Sequence, residues 1–115
     1  MSSELKGWID KLRDSNKLII VEGKKDKAAL KSLDISNIRH LKEPLYKAVE
    51  EIAAQHKDVI ILTDLDRQGK LIYAKLNHDL QRHGVRVDHY FREFLFRYTK
   101  LRQIEGLPHY LEHAP

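Results

Sequence analysis

The most informative feature of the composition of this 115-residue chain is the complete absence of cysteine. Without cysteine the chain can form no disulfide, no zinc finger of the cysteine type and no thiol nucleophile. Glycine and proline are scarce, at five and three residues, and no stretch is rich in proline, glycine or serine. Because no linker or repeat interrupts the sequence, we expect residues 1–115 to form a single domain with one apolar core.

Long apolar runs are also missing from the chain. No run approaches the roughly 18 apolar residues that a membrane-spanning helix needs. The N-terminal sequence MSSELKGWIDKL has no apolar segment of the kind that a secretory signal peptide carries. The lack of a membrane-spanning run, of a signal-peptide segment and of cysteine leads us to expect a cytoplasmic protein without membrane contact.

The balance of charge is basic without being extreme. Lysine and arginine number 21 against 17 aspartate and glutamate residues, which gives a net charge of +4 and a pI of about 9.3. Such a surface attracts polyanions, including nucleic acids. Many domains without a nucleic-acid partner carry a similar charge, so charge alone leaves that partner open.

The apolar pattern predicts alternating strands and helices. Residues 18–21 and 59–62 are continuous apolar runs, typical of strands buried on both faces of a parallel sheet. Shorter patterns predict two more strands, around Ile38 and over residues 85–87. Apolar residues spaced three or four apart predict helices over residues 3–14, 26–33, 45–53 and 72–80 and a helical segment over 90–113.

This alternation requires crossover connections between parallel strands. We therefore predict an α/β fold with a mainly parallel central sheet of about four strands and helices on both faces. The core would span about residues 17–90. The N-terminal helix 3–14 and the C-terminal helical segment 90–113 would pack on it.

Acidic residues follow both of the strongest predicted strands. Glu22 follows the first strand, and Asp64 and Asp66 follow the second. In a parallel α/β sheet, functional groups collect at the carboxyl ends of the strands. Side chains two residues apart on an extended strand end point to the same side, so Asp64 and Asp66 would face one point. A divalent cation relieves the repulsion between close carboxylates, and Mg²⁺ prefers hard oxygen ligands.

Other interpretations of these acids compete with a magnesium site. A carboxylate at the end of a strand often caps the next helix, and either acidic group alone fits that role. An EF-hand loop starting at Asp64 would need glutamate at its twelfth position, where Lys75 stands. A phosphatase of the haloacid dehalogenase type would need threonine or valine in place of Gln68. The presence of acids after two strands of one small fold favours the metal site.

The two segments VEGKKD, residues 21–26, and TDLDRQG, residues 63–69, together resemble the Toprim domain. This domain is shared by type IA and type II topoisomerases, bacterial-type primases, OLD-family nucleases and RNase M5 maturases. The resemblance covers roughly residues 17–90. The chain is also similar in size and layout to small stand-alone Toprim proteins of archaea and some bacteria.

The resemblance implies a Toprim fold that binds two Mg²⁺ ions, for which Mn²⁺ can substitute. Glu22 matches the Toprim glutamate, a general acid or base that also contacts the first metal. Asp64 matches the aspartate shared between both metals, and Asp66 matches the aspartate on the second. Two such ions would stabilise the charge on a phosphoryl group in transfer.

Basic residues beside these motifs are candidate phosphate contacts. Arg67 matches the arginine that follows the aspartate pair in type IA topoisomerases, and Lys24 lies next to the glutamate motif. We assign catalytic roles to Glu22, Arg67 and Lys24, and phosphate contacts to Lys25 and Lys70. Lys70 departs from the topoisomerase pattern, which has an acidic residue just after the motif glycine.

Two further residue types are expected to have no catalytic or metal-binding role. Topoisomerases need a nucleophilic tyrosine on another domain, and we interpret all five tyrosines of this chain as packing residues. His109 and His113 are four residues apart, but no third ligand accompanies them, so we expect no metal there.

These features lead us to expect Mg²⁺-dependent phosphodiester chemistry on RNA or DNA, with a nuclease similar to RNase M5 as the preferred activity. The alternative is a non-catalytic, metal-assisted nucleic-acid-binding or accessory subunit of a replication, repair or RNA-processing complex. The lack of a second domain to grip a substrate favours this alternative, in which a protein partner supplies the missing domain. The sequence leaves the oligomeric state open.

Overall fold

The computed structural model describes residues 3–113 and shows a parallel sheet between two layers of helices. The strands are Leu18–Val21 (β1), Ile38–His40 (β2), Asp58–Ile61 (β3) and Arg86–Asp88 (β4). The helices are Ser3–Asp14 (α1), Lys24–Lys31 (α2), Leu45–Gln55 (α3), Arg67–Arg82 (α4), Tyr90–Tyr98 (α5) and Leu107–His113 (α6), with a 3₁₀ turn at Ile104–Gly106. Within residues 3–113, no helix combines the length and the apolar character needed to cross a bilayer.

The strands lie in the order β2–β1–β3–β4, and every neighbouring pair is parallel. The two continuous apolar runs of the sequence form the two central strands, where Ile20 pairs with Ile61. Both residues are completely buried, because helices cover the sheet on each side. The prediction of an α/β fold with a four-stranded, parallel sheet is therefore confirmed.

Alternate residues of the central strands pack against different helical layers. Ile19 and Ile60 face one layer, where Trp8 of α1, Leu30 of α2 and Leu95 of α5 complete the core. Because side chains alternate along a strand, their neighbours face the opposite layer.

The opposite layer is formed by α3 and α4. Ile20 and Ile61 pack there with Val49 of α3 and with Leu76 and Leu80 of α4. The helices on both faces explain why these strands lack the polar alternation of a half-exposed sheet.

Carboxylates define the starts of the two helices that follow the central strands. Helix α2 begins at Lys24, two residues before the predicted start, because Asp26 Oδ2 accepts a hydrogen bond from the Gly23 N–H at 3.0 Å. Helix α4 begins after Asp66, whose Oδ1 accepts from the Gly69 N–H at 2.7 Å. Gly84 lies just beyond the other end of α4 with φ +80, a left-handed conformation that favours glycine at the end of a helix.

The C-terminal helical segment predicted over residues 90–113 is not continuous. Helix α5 ends at Tyr98, since Thr99 adopts an extended conformation (φ −130, ψ 169). The chain then runs beneath the end of β3, where the Arg102 carbonyl accepts a hydrogen bond from the Leu65 N–H at 2.8 Å. The interruption therefore brings an irregular segment into contact with the loop that carries the candidate aspartates.

At the other end of the chain, Trp8 attaches α1 to the core. Its side chain is 1% exposed, and its Nε1 donates to the Phe91 carbonyl at 2.9 Å. The two rings meet edge to face, with centroids 6.1 Å apart. One side chain therefore links α1 to α5 by packing and by a buried hydrogen bond.

Candidate functional site

The carboxyl ends of β1 and β3 are adjacent, and a direct hydrogen bond links the acidic residues that follow them. Glu22 Oε1 accepts from the Asp64 N–H at 2.9 Å. Both side chains are half-buried. The structure thus places Glu22 and Asp64 together, although 42 residues separate them in the sequence.

Asp64 is further fixed by the irregular C-terminal segment and by α5. Its Oδ1 accepts from the Ile104 N–H at 2.8 Å. Its backbone carbonyl accepts from Nη2 of Arg92 at 2.8 Å, while Nε of the same arginine donates to the Thr63 carbonyl at 2.9 Å. The position of this carboxylate therefore depends on groups about 30 to 40 residues away along the chain.

Asp66 has a different role from that of Asp64. It is exposed and caps α4, and it lines a separate shallow cavity with Lys100, Arg102 and Tyr110. Strand β3 ends at Ile61 and the chain bends at residues 65–66, so the alternation of an extended strand does not extend to Asp66. Within residues 3–113, Glu22, Asp64 and Asp66 do not form a cluster whose ligand atoms all lie within 4.8 Å of one another.

An open cavity of about 640 Å³ lies beside Glu22 and Asp64. Four of the residues that line it are acidic and two are basic: Glu22, Asp26, Asp64 and Glu105, with Lys24 and Lys25. Leu41, Leu45 and Ile72 form its apolar side. Arg67 and Lys70 are exposed on the first turn of α4 and lie outside this lining.

The pKa of Glu22 is raised above its ordinary value of 4.5. Burial is the largest cause, and the hydrogen bond from the Asp64 N–H opposes it. The negative charges of Asp64, Asp66 and Asp26 add to the increase. Glu22 therefore lies in surroundings that favour its protonated form more than water does.

The pKa of Asp64 and that of Asp26 are raised as well, again mainly by burial. Asp66 and Glu105 raise the pKa of Asp64 through their charges, while the Ile104 N–H lowers it. Partly buried carboxylates that lie close together repel one another, and a cation bound among them would remove that repulsion. The electrostatics of the cavity thus fit a divalent cation.

Gly69 is required at this site by a close approach of the backbone. A Cβ atom there would lie 2.1 Å from the Asp64 carbonyl oxygen and 2.8 Å from Glu22 Oε1. The buried Thr63 hydroxyl also donates to the Gly69 carbonyl at 2.8 Å. The glycine of the second motif therefore allows the start of α4 to pack directly against the two carboxylate-bearing strand ends.

Sequence reasoning missed two residues that shape the site. Arg92 is half-buried and stacks on Tyr73 with its guanidinium 4.4 Å from the ring centroid. Glu105 brings a fourth carboxylate to the cavity. No pattern in the sequence signals either position, because both reach the site only through the path of the C-terminal segment.

The interpretation of the tyrosines was wrong in part, and so was the reason given for expecting no metal at His109 and His113. Tyr46, Tyr90 and Tyr98 are 66%, 42% and 67% exposed, so none of them is a core residue, but Tyr90 and Tyr98 still pack against Phe94 with ring centroids 5.8 Å and 5.0 Å apart. His109 and His113 do have a third potential ligand, since Glu112 lies beside them on α6. The side chain three residues after the first histidine falls on the same helical face.

Comparisons with known proteins agree with the fold and the motifs. The model of the Toprim domain matches residues 17–94. A UPF0292 protein from Pyrococcus abyssi is 40% identical over 100 residues, which cover 86% of this chain and 75% of that protein. A UPF0292 protein from Methanocaldococcus jannaschii is 34% identical over 106 residues, which cover 88% of this chain and 83% of that protein.

A solved structure gives the same result. A protein from Aquifex aeolicus superposes with a TM-score of 0.83 and 33% sequence identity, over 91% of this chain and 99% of that chain. The matched residues 17–94 include both acidic motifs and all four strands. The chain therefore belongs to the Toprim domain family, whose function is metal-dependent and related to nucleic acids.

Proposed function

We propose that this protein is a Mg²⁺-dependent nuclease that hydrolyses phosphodiester bonds of RNA or DNA in the cavity beside Glu22 and Asp64. The observation that carries the proposal is the hydrogen bond from the Asp64 backbone N–H to Glu22 Oε1, which joins the two residues across the ends of the central strands. Both carboxyl groups have raised pKa values in a cavity open to a large substrate.

Glu22 and Asp64 are the residues that would hold Mg²⁺. Backbone N–H groups fix Oε1 of Glu22 and Oδ1 of Asp64, and within residues 3–113 no protein hydrogen bond engages the other oxygen of either group. Mg²⁺ usually takes one or two carboxylates and keeps waters for substrate phosphate to replace. Asp66, on the far side of the bend, would hold a second ion, and Mn²⁺ would substitute for Mg²⁺. The ion supplies charge stabilisation for the phosphoryl group in transfer.

Glu22 is the proposed general acid or base. Its Oε1 accepts a hydrogen bond from the Asp64 N–H, so Oε2 would serve in turn as the contact to the ion and as the atom that carries the proton. Hydrolysis forms a P–O bond from an attacking water, which loses a proton, and breaks the P–O bond to the departing oxygen, which gains one. A carboxyl group with a raised pKa holds a proton closer to neutral pH than an ordinary glutamate does, which suits this transfer.

The basic residues around the cavity would position the phosphate backbone. Lys24 and Lys25 lie on the first turn of α2 and line the cavity. Arg67 and Lys70 are exposed at the start of α4 and would contact phosphates outside it. Both helices also direct their N-terminal N–H groups towards this end of the sheet, where anions are favoured.

A cleavage assay with matched variants tests the proposal. Labelled structured RNA, single-stranded DNA and duplex DNA are incubated with Mg²⁺ or Mn²⁺ and wild-type protein, Glu22→Gln, Asp64→Asn or Asp10→Asn. Asp10 is an exposed acid on α1, away from the cavity, so its variant is the control. We expect cleavage by the wild type and the control, and none by the other two. Metal-dependent binding without cleavage by the wild type would instead support an accessory subunit.

A further inference from the structure

Three side chains with metal-binding atoms meet on one face of α6: His109, Glu112 and His113. Their candidate ligand atoms all lie within 4.8 Å of one another. The two imidazole rings are 4.3 Å apart between centroids. The spacing of three and four residues on a helix brings side chains to one face, so regular geometry produces the cluster.

The opposite face of α6 anchors the helix to the domain. Leu107 and Leu111 are buried in the core with Ile104 of the preceding 3₁₀ turn. The three polar side chains are exposed, so they point away from this apolar contact. An ion can therefore reach the cluster from solvent, and the packed side of α6 holds the backbone of the ligands in place.

The donor set differs in kind from the carboxylates beside Glu22. Two imidazole nitrogens and one carboxylate oxygen suit Zn²⁺ or a similar transition metal, whereas Mg²⁺ prefers oxygen ligands alone. Tetrahedral Zn²⁺ with bonds of about 2.0–2.1 Å places its ligand atoms about 3.3 Å apart. Exposed side chains can close from separations of at most 4.8 Å to that distance by small rotations, which leaves the fourth position for water.

We propose that His109, Glu112 and His113 form a binding site for Zn²⁺ or a similar divalent transition metal, separate from the carboxylate cavity. The ion would bridge one turn of a helix of only seven residues. Helices this short are marginal without outside contacts, so the bound metal would stabilise α6 against fraying. The site does not depend on the proposed nuclease activity.

Metal titration of the full chain without an affinity tag tests this site. The affinity for Zn²⁺ is measured by calorimetry, and Co²⁺ is added separately to record the visible absorption of a tetrahedral site. The variants are His109→Asn, His113→Asn and Glu112→Gln. His78→Asn removes an exposed histidine from α4, and Asp10→Asn removes an exposed carboxylate from α1, so these are the controls.

We expect each histidine variant to bind Zn²⁺ about tenfold more weakly or worse, and Glu112→Gln to bind it more weakly than the wild type. Both controls should retain wild-type affinity. All three ligand positions are exposed, so the variants should fold, and circular dichroism verifies this. The inference is overturned if the wild type binds no Zn²⁺, if the histidine variants bind as it does, or if His78→Asn abolishes binding.

Discussion

Replacement of Gly69 by alanine should disturb the candidate site without removing any polar group. The added Cβ would lie 2.1 Å from the Asp64 carbonyl oxygen, whereas ordinary van der Waals contact begins at about 3.4 Å. The overlap is therefore about 1.3 Å. Overpacking of this kind costs about 1–3 kcal/mol.

The neighbouring atoms cannot easily move away from the new methyl group. The Asp64 carbonyl is held by Nη2 of Arg92, and Glu22 Oε1 is held by the Asp64 N–H. A shift of either oxygen would break one of these hydrogen bonds and displace a proposed metal ligand. Gly69→Ala should therefore lower both the free energy of unfolding and the affinity for Mg²⁺.

Gly7→Ala is the matched control for this substitution. Gly7 also lies inside a helix, but a Cβ there would meet nothing within 4 Å. Alanine is a better helix former than glycine by about 0.8–1.0 kcal/mol, so this variant should be more stable than the wild type by up to that amount.

Urea denaturation and Mg²⁺ titration calorimetry measure both effects. Gly69→Ala should be less stable than Gly7→Ala by about 2–4 kcal/mol, with weaker Mg²⁺ binding. If Gly69→Ala is as stable as the wild type and binds Mg²⁺ equally well, the close packing of α4 against the two carboxylates does not exist as described.

Three further changes have defined outcomes. Arg92→Ala leaves the Thr63 and Asp64 carbonyls without their donor, so unfolding in urea should show a loss of about 1–3 kcal/mol, and unchanged stability would contradict this support. Because the native pKa values of Glu22 and Asp64 exceed their ordinary 4.5 and 3.8, the native state holds more protons than the unfolded state just above those values. The stabilisation that both groups give the metal-free protein should then decrease as pH rises through their native pKa values. Denaturation curves across pH should show a weaker pH dependence in Asp64→Asn than in the wild type, and an identical dependence would contradict the raised pKa of Asp64. Trp8→Ala should cost about 3–5 kcal/mol, measured in the same way, and a loss below about 1 kcal/mol would show that α1 is not attached through this side chain.

The sheet and the outline of the site were predictable because they depend on local patterns. The apolar runs at residues 18–21 and 59–62 have one simple explanation, namely burial on both faces of a parallel sheet. The adjacency of Glu22 and Asp64 then follows from the meeting of carboxyl strand ends at one edge. These inferences needed only periodicity and strand order.

The remainder of the site depends on contacts that local patterns do not encode. Asp66 does not join Glu22 and Asp64 because the chain bends before α4 begins, and the alternation of side chains along a strand does not apply after that bend. Arg92 and Glu105 reach the site through tertiary packing of the C-terminal segment. Glu112 differs from these, since its spacing from His109 already placed it on the histidine face, and that signal was overlooked.

Direct measurement of metal binding tests the central claim that the paired carboxylates of Glu22 and Asp64 bind a divalent cation. Mn²⁺ bound to the full chain can be counted by electron paramagnetic resonance, with Asp64→Asn beside the wild type and Asp10→Asn as the control. His109→Asn belongs in the same series, because it separates this binding from the proposed site on α6. We expect the wild type, Asp10→Asn and His109→Asn to bind Mn²⁺ in competition with Mg²⁺, and this binding to be lost in Asp64→Asn. Absence of binding in the wild type, or equal binding in Asp64→Asn, would contradict the central claim.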